Sequence, residues 1–125
     1  ERGKSILTLM KMEDTMRPIE HFIEIMENKD FTALGRLFTD DGHYCDYCAN
    51  GTAQHEYHLY GKEAISMFFR NKFLFRQYSI MEASVLDDRH AEFIASFGGY
   101  NIMAIVTLQQ VSGDGRIRRL TVRPK

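Results

Sequence analysis

The sequence predicts one α+β domain: a cone-shaped, strongly curved antiparallel sheet wrapped around a long N-terminal helix, with two further helices. Helical patterns come first along the chain, and a meander of at least four strand patterns follows. This order is typical of helices segregated to one face of an antiparallel sheet. The chain has 125 residues, of which 44% are hydrophobic, which suits a single core. Because a sheet curved over a helix encloses a cone, its mouth is a natural ligand pocket.

Apolar spacing predicts the first helix over residues 15–28. Its buried face repeats at the helical interval through Ile19, Phe22, Ile23 and Met26. We assign residues 1–14 to an N-terminal extension and residues 15–125 to the domain. Because the first residue is Glu, we expect the sequence to begin inside a longer chain.

Two further helices are predicted. Asp30 can cap a short helix, and that helix buries Phe31, Leu34, Leu37 and Phe38. Residues 39–42 contain turn-forming side chains and are expected to end it. Residues 62–71 place Ile65, Phe68 and Phe69 on one face, so this segment is predicted to be the third helix.

The other segments alternate like strands. Residues 43–48 and 54–60 predict a short hairpin, in which Tyr44, Asp46 and Cys48 share one face of the first strand and His43, Cys45 and Tyr47 share the other. The meander is then predicted at residues 73–86, 91–97, 100–111 and 116–123.

The third strand of the meander has an apolar run, Ile102 to Val106, whose side chains are apolar on both faces. A half-solvated strand would alternate with polar residues, so we expect this one to be covered on both sides. One layer of helices covers one face only. The run therefore predicts a homodimer formed through the sheet.

Four short segments resemble the nuclear-transport-factor-two-like superfamily, in particular its SnoaL-like and ketosteroid isomerase-like branch. They are Asn28-Lys29-Asp30-Phe31, Leu37-Phe38-Thr39-Asp40-Asp41, Gly61-Lys62-Glu63-Ala64-Ile65 and Gly113-Asp114-Gly115-Arg116-Ile117. The resemblance extends from about Thr15 to Pro124 and implies the cone-shaped α+β fold, often as a dimer. The superfamily includes isomerases, cyclases, dehydratases and proteins without catalysis, so the fold does not settle the activity.

The resemblance also implies site residues. The general base of the ketosteroid isomerases falls on Asp46, whereas their two oxyanion donors, a Tyr and a protonated Asp, fall on Phe22 and Thr107. One such donor is typically worth a few kcal/mol in the transition state. We therefore do not expect efficient ketosteroid isomerisation from this chain.

Other polar side chains of the predicted hairpin can replace the missing donors, because phenols and imidazoles can bond an enolate oxygen. Tyr44 shares the face of Asp46, so the candidate catalytic residues are Asp46, Tyr44 and His58. The predicted ligand-binding residues line the cone: Phe22, Phe38, Tyr57, Met67, Phe68, Met103, Ile105 and Thr107. Rim packing is the alternative role for the hairpin residues, and backbone bonding at a strand end is the alternative for Asp46.

One cluster has metal-ligand character: a Cys-x-x-Cys followed by a His-x-x-His, with a further His before them. Its members are His43, Cys45, Cys48, His55 and His58, a set that suits zinc. In a strand, however, Cys45 and Cys48 point to opposite faces. We therefore expect no metal, and zinc stabilisation stays an alternative.

The sequence thus predicts a small-molecule-binding protein, with proton-transfer chemistry of isomerase, cyclase or dehydratase type on an apolar carbonyl-bearing ligand and Asp46 as general base. The alternative is a non-catalytic ligand-binding or dimerisation module of the same fold. No cofactor is expected, since no dinucleotide or phosphate-binding motif is present.

Charge and composition exclude other classes of partner. The formal net charge of -1 gives no general attraction for nucleic acid. The sequence has no apolar run of about 18 residues, the length a membrane-spanning helix needs. Two cysteines are too few for a disulfide scaffold, so we expect a reducing, cytoplasmic location.

Overall fold

The structure, a computed structural model, describes residues 16–48 and 56–125. These residues form three helices, α1 (Pro18–Glu27), α2 (Phe31–Arg36) and α3 (Lys62–Phe75). They also form six strands: β1 (Phe38–Asp46), β2 (Tyr57–Tyr60), β3 (Tyr78–Val85), β4 (His90–Phe97), β5 (Tyr100–Val111) and β6 (Ile117–Pro124). The predicted N-terminal extension and residues 49–55, which join the two predicted strands of the hairpin and include the start of the second, lie outside the described residues.

All six strands belong to one curved, unclosed sheet with the order β2-β1-β6-β5-β4-β3. Neighbouring strands run antiparallel, except that β1 and β6 are parallel. The predicted α+β class with a cone-shaped sheet is confirmed. No helix in the described part of the chain is both long and apolar enough to cross a membrane.

The core lies between the helices and one face of the sheet, here called the inner face. Helix α1 buries the four apolar residues that its periodicity predicts. Helix α3 adds Ile65, Phe69 and Phe73, and β4 adds Ala91, Phe93 and Ala95 from alternate positions. The small Ala side chains leave room for the large rings of the helices, so the two layers pack closely.

The caps explain where α1 and α2 begin. Helix α1 starts at Pro18, where the lack of an N–H is tolerated because an N–H in a first turn has no intrahelical partner. The side chain of Glu20 caps this end by accepting a hydrogen bond of 2.8 Å from the backbone N–H of Arg17. Asp30 caps α2, as predicted, by accepting a hydrogen bond of 3.1 Å from the Ala33 N–H. These capped starts fix how the chain enters the core.

Strand β1 is longer than the sequence indicates. Residues 39–42 are strand in the structure rather than a turn, and Phe38 is the first residue of β1 rather than part of α2. Parallel pairing with β6, which aligns Phe38 with Ile117, overrides the turn composition of this segment. The register shifts between Phe38 and His43, so a bulge accommodates the polar residues.

Strand β5 has the predicted bounds but different burial on its two faces. Ala104, Val106 and Leu108 are buried in the core, whereas Ile105 and Thr107 are half-buried on the other side, here called the outer face. Met103, on the outer face, is 49% exposed. The described residues of one chain therefore do not cover both faces of β5.

Candidate functional site

Strand β1 presents candidate functional side chains on both faces of the sheet. Tyr44 and Asp46 point into the core, whereas His43 and Cys45 point to the outer face, as alternation along a strand requires. Two groups of residues result. We call Tyr44, Asp46 and Lys72 the inner site, and His43, Cys45 and His58 the outer cluster.

The carboxylate of Asp46 is the centre of the inner site. Its Oδ2 accepts a hydrogen bond of 2.8 Å from the Tyr44 hydroxyl and one of 3.2 Å from Lys72 Nζ. Its Oδ1 accepts a bond of 2.7 Å from the backbone N–H of Cys48. Asp46 is 1% exposed, so the charge is compensated inside the protein rather than by water.

Lys72 is the second charge of the inner site. It lies in the last turn of α3, and its side chain is 7% exposed. Its Nζ lies 4.1 Å from the ring centre of Tyr78 and 5.1 Å from that of Phe68, so two aromatic faces supplement the carboxylate. Among the described residues, this is the one ion pair with both side chains under a tenth exposed.

Burial keeps the neighbouring acids protonated. It raises the pKa of Tyr44 and of Tyr78 well above the usual value for a phenol, and the negative charge of Asp46 adds to the effect in both. Burial likewise raises the pKa of the Cys48 thiol to about 12. Tyr44 is therefore a hydrogen-bond donor to Asp46, not a second anion.

Aromatic rings surround the inner site. The ring of Tyr44 lies 4.9 Å from that of Phe69, 5.7 Å from Phe68, 6.2 Å from Phe38 and 6.4 Å from Phe22. Phe68 also lies 5.8 Å from Tyr57, which is 38% exposed. Tyr57 and Phe68 thus link the surface to the buried charges.

Four of the predicted ligand-binding residues lie away from the inner site. Met67, on α3, is 61% exposed. Met103, Ile105 and Thr107 lie on the outer face of β5, because the buried positions of this strand are Ala104, Val106 and Leu108. The apolar run of β5 does not show from the sequence which alternate set faces the core.

His58 also lies away from Asp46. In the register of the hairpin, His58 is opposite Cys45, and directly opposite residues share a face. Its ring therefore belongs to the outer cluster. The sequence could not place it, because the segment between β1 and β2 is long enough to leave the register open.

Lys72 is the residue of the inner site that was not predicted from the sequence. The chain near Asp46 has no basic residue, and the two side chains are 26 positions apart. A signal was present, however. Lys72 follows Ile65 by seven residues and Phe69 by three, the spacing of the buried face of α3. A lysine at such a position must find a counter-charge within the core.

In the outer cluster, three donor atoms converge. His43 Nε2 lies 3.0 Å from His58 Nδ1, and Cys45 Sγ lies 3.1 Å and 3.2 Å from these two nitrogens. Burial, Arg119 and His58 lower the pKa of His43, and burial raises the pKa of Cys45. Of the other candidate ligands, Cys48 is buried behind β1, and His55 is outside the described residues.

No protein-family model and no curated protein matches the sequence. Solved structures match its fold. A protein from Sphaerobacter thermophilus has a TM-score of 0.65 at 17% identity, and the match covers 89% of this chain and 98% of that one. A hypothetical protein with a ketosteroid isomerase-like fold from Catenulispora acidiphila, in complex with trimethylamine, has a TM-score of 0.57 at 20% identity, covering 84% and 82%.

The Orange Carotenoid Protein of Anabaena (Nostoc), solved with canthaxanthin bound, has a TM-score of 0.57 at 16% identity; the match covers 86% of this chain and 35% of that one. These neighbours confirm the fold predicted from the resemblance, that of the ketosteroid isomerase-like proteins. At such identities the likeness extends to fold alone, so the chemistry must be argued from the inner site.

Proposed function

We propose that the protein binds an apolar small molecule bearing a carbonyl group, and that the inner site receives the polar end of this ligand. The buried ion pair between Asp46 and Lys72 carries the proposal. A buried ion pair usually stabilises a protein no more than apolar residues of similar volume would. Stability alone therefore does not explain why two charged residues lie in this aromatic core. Hydrogen bonding to a ligand carbonyl by Lys72 or Tyr44 would explain their presence there.

Two structural neighbours support ligand binding in this fold, since one was solved with trimethylamine and the other with canthaxanthin. In this chain, Tyr57 and Phe68 are the proposed entrance, because they join the surface to Lys72. Phe22, Phe38 and Phe69 are the proposed wall around Tyr44. Aromatic walls with a few polar groups are typical of small-molecule sites.

The proposed chemistry is proton transfer without a cofactor. Asp46 takes a proton from the carbon next to the carbonyl, the C–H electron pair moves towards the carbonyl oxygen, and Asp46 returns the proton to another carbon. The resulting enolate oxygen needs donors. An ammonium has three N–H groups, and one of those of Lys72 bonds Asp46. Lys72 is thus the proposed replacement for the donors absent at Phe22 and Thr107, and Tyr44 is the second when its single O–H turns from Asp46 to the ligand oxygen.

The second candidate is a non-catalytic ligand-binding or dimerisation module. One observation favours it: both oxygens of Asp46 already accept hydrogen bonds, from Tyr44, Lys72 and the Cys48 N–H. Each of these donors occupies a lone-pair site of the carboxylate that would otherwise receive the proton of a ligand. Under this reading the ion pair orients a ligand, and no bond is made or broken.

Ligand binding can be tested with a tryptophan reporter, because these 125 residues include no Trp. We expect the fluorescence of Phe68→Trp to change saturably when apolar ketones and enones are titrated. Phe75→Trp, on the exposed side of the same helix, is the matched control and should not respond. Native mass spectrometry of the purified chain should also detect a retained organic molecule. Failure of both measurements would reject ligand binding.

Turnover is tested on any ketone that binds. Wild-type protein should accelerate exchange of the hydrogens next to the carbonyl in deuterated water, followed by NMR. The variant is Asp46→Asn with Lys72→Met, since Asp46→Asn alone leaves Lys72 charged and buried without its partner. Loss of exchange in this variant would assign turnover to the pair of Asp46 and Lys72, since it removes the proposed base together with the proposed donor. Binding without exchange in the wild type identifies the non-catalytic module.

We also propose a homodimer through the outer face of β4 and β5. Ile94 and Met103 are cross-strand partners on this face, and Ile105 adds a half-buried apolar side chain beside them. A second copy would remove this apolar surface from water. Sedimentation at micromolar concentration should give a dimer, and Met103→Lys should shift the equilibrium to monomer. A wild-type monomer would refute the assembly.

A further inference from the structure

The outer cluster places two imidazole nitrogens and one sulfur within metal-binding reach of one another. Cys45 and His58 are directly opposite in the pairing of β1 with β2, and His43 is two residues from Cys45 on the same face. The three ligand atoms converge on one point, 3.0 to 3.2 Å apart. Two paired strands set this arrangement, so it does not depend on a loop.

Neighbouring groups orient both imidazoles. Glu56 Oε1 lies 3.0 Å from His58 Nε2, which directs Nδ1 of the same ring towards Cys45. The ring of His43 stacks on that of Tyr60 at 4.3 Å between centres, and this contact holds Nε2 in the cluster. A carboxylate on the outer nitrogen of a histidine is the arrangement that tunes metal-bound histidines in proteins.

A reactive cysteine is the competing explanation. A nucleophilic cysteine needs a thiolate beside a cationic imidazole. Here the Cys45 sulfur belongs to a side chain that is 1% exposed, whereas reactive cysteines are partly exposed to the molecules they attack. In addition, a nucleophilic cysteine needs only one imidazole as its base, whereas two imidazoles lie beside this sulfur. The geometry fits three ligands around a central ion better than a catalytic pair.

We propose that His43 Nε2, Cys45 Sγ and His58 Nδ1 bind a zinc ion, with a water molecule as the fourth ligand. Zinc accepts thiolate and imidazole in tetrahedral sites, and three protein ligands leave one position open. Such a site separates two nitrogens by about 3.3 Å and a nitrogen from sulfur by about 3.6 Å. Side-chain rotations that lengthen the distances between the ligand atoms by a few tenths of an ångström would therefore admit the ion. The thiol proton of Cys45 leaves to solvent as the metal binds.

The site would connect β2, an edge strand of four residues, to β1. An ion that binds the folded chain alone stabilises it by mass action, so zinc should raise the melting temperature. Arg119 lies on the neighbouring strand opposite His43, and its positive charge opposes the cation. This repulsion is one reason to expect a site that exchanges its metal rather than one that needs metal to fold.

The test begins with chelator-treated protein dialysed against ZnCl2, with bound metal measured per chain. We expect one zinc per wild-type chain, and none in Cys45→Ser or His58→Gln. His90→Gln, which changes a histidine of β4 bonded to Asp87, is the matched control and should keep the metal. Circular dichroism of the metal-free variants checks their folding. Zinc retained by Cys45→Ser, or absent from folded wild-type protein, would overturn the proposal.

Cobalt gives a second readout that a structural role alone would not produce. Co²⁺ bound to wild-type protein should show a thiolate-to-metal charge-transfer band, and Cys45→Ser should lose it. Glu56 is a positioning residue in this proposal. Glu56→Gln should therefore keep the band but weaken zinc binding about 10- to 100-fold. An unchanged zinc affinity in Glu56→Gln would refute the role of Glu56, and a band that survives in Cys45→Ser would refute the site.

Discussion

Replacing Lys72 by Met should destabilise the fold strongly, because it leaves Asp46 charged and buried without its counter-ion. The two groups are 3.2 Å apart, and their side chains are 7% and 1% exposed. Breaking a buried pair at one partner costs about 3–5 kcal/mol. For a chain of this length, 1 kcal/mol corresponds to about 4 °C in melting temperature. The variant should therefore melt about 12–20 °C below the wild type.

The double variant separates the charge effect from simple loss of packing. With Asp46→Asn added, no charge stays unpaired, and the amide can still bond Tyr44 and the Cys48 N–H. We expect the double variant to recover at least about 2 kcal/mol of the loss, since exchanging a buried pair for neutral groups is often nearly neutral. Recovery of this size would measure the coupling between the two charges.

The assay is urea unfolding followed by circular dichroism and tyrosine fluorescence, with the denaturant slope required to stay constant. Lys62→Met is the matched control. It lies on the same helix and also pairs with an aspartate, Asp40, but that pair is exposed and should contribute less than about 1 kcal/mol. Equal losses in Lys72→Met and Lys62→Met would refute the assignment of Lys72 to a buried ion pair.

Three further predictions concern the fold. Gly35→Ala should cost about 1–3 kcal/mol, because an added Cβ would lie 2.8 Å from the carbonyl oxygen of Lys62; thermal unfolding measures the loss, and no loss would refute the close approach of α2 and α3. Asp30→Ala should cost about 1 kcal/mol in the same assay by removing the cap of α2, and a stability equal to the wild type would contradict that role. Above pH 9, the unfolding free energy should fall as pH rises, because Cys48 keeps its proton to about pH 12 in the folded chain while the unfolded thiol ionises from about 9; a flat profile between pH 8 and pH 11 would exclude this.

Local patterns predict those elements whose burial depends on their own sequence. Helix α1 follows directly from the spacing of its apolar residues, and strand β5 follows from its continuous apolar run, so their type and, for β5, both ends agree with the structure. Helix α3 runs four residues beyond its predicted end, because Lys72 and Phe73 continue its buried face. The start of β1 could not be predicted, since it depends on the pairing of Phe38 with Ile117 of β6, 79 residues further along the chain.

The residues of the candidate site likewise fall into those that local patterns predict and those that they do not. Alternation alone places Tyr44 with Asp46 and separates Cys45 from Cys48. The partner of Asp46 required the packing of α3 onto β1, and the position of His58 required the register between β1 and β2. Both contacts join residues that are far apart in the sequence, and no local pattern encodes them. The residues that complete each group are therefore the ones that the sequence left open.

Burial explains why both groups lie on β1. The sequence assigns cover on both faces to β5, yet in one chain the outer Met103 of β5 is half exposed. On β1, in contrast, Tyr44, Cys45 and Asp46 are each 1% exposed, although they point alternately to opposite faces. A strand shielded on both sides can hold a charge pair in the core and, one residue away, a sulfur beneath two imidazoles. Polar groups so removed from water must be satisfied by protein or ligand, which makes this strand, rather than the apolar run of β5, the place where a ligand or a metal would change the stability of the fold.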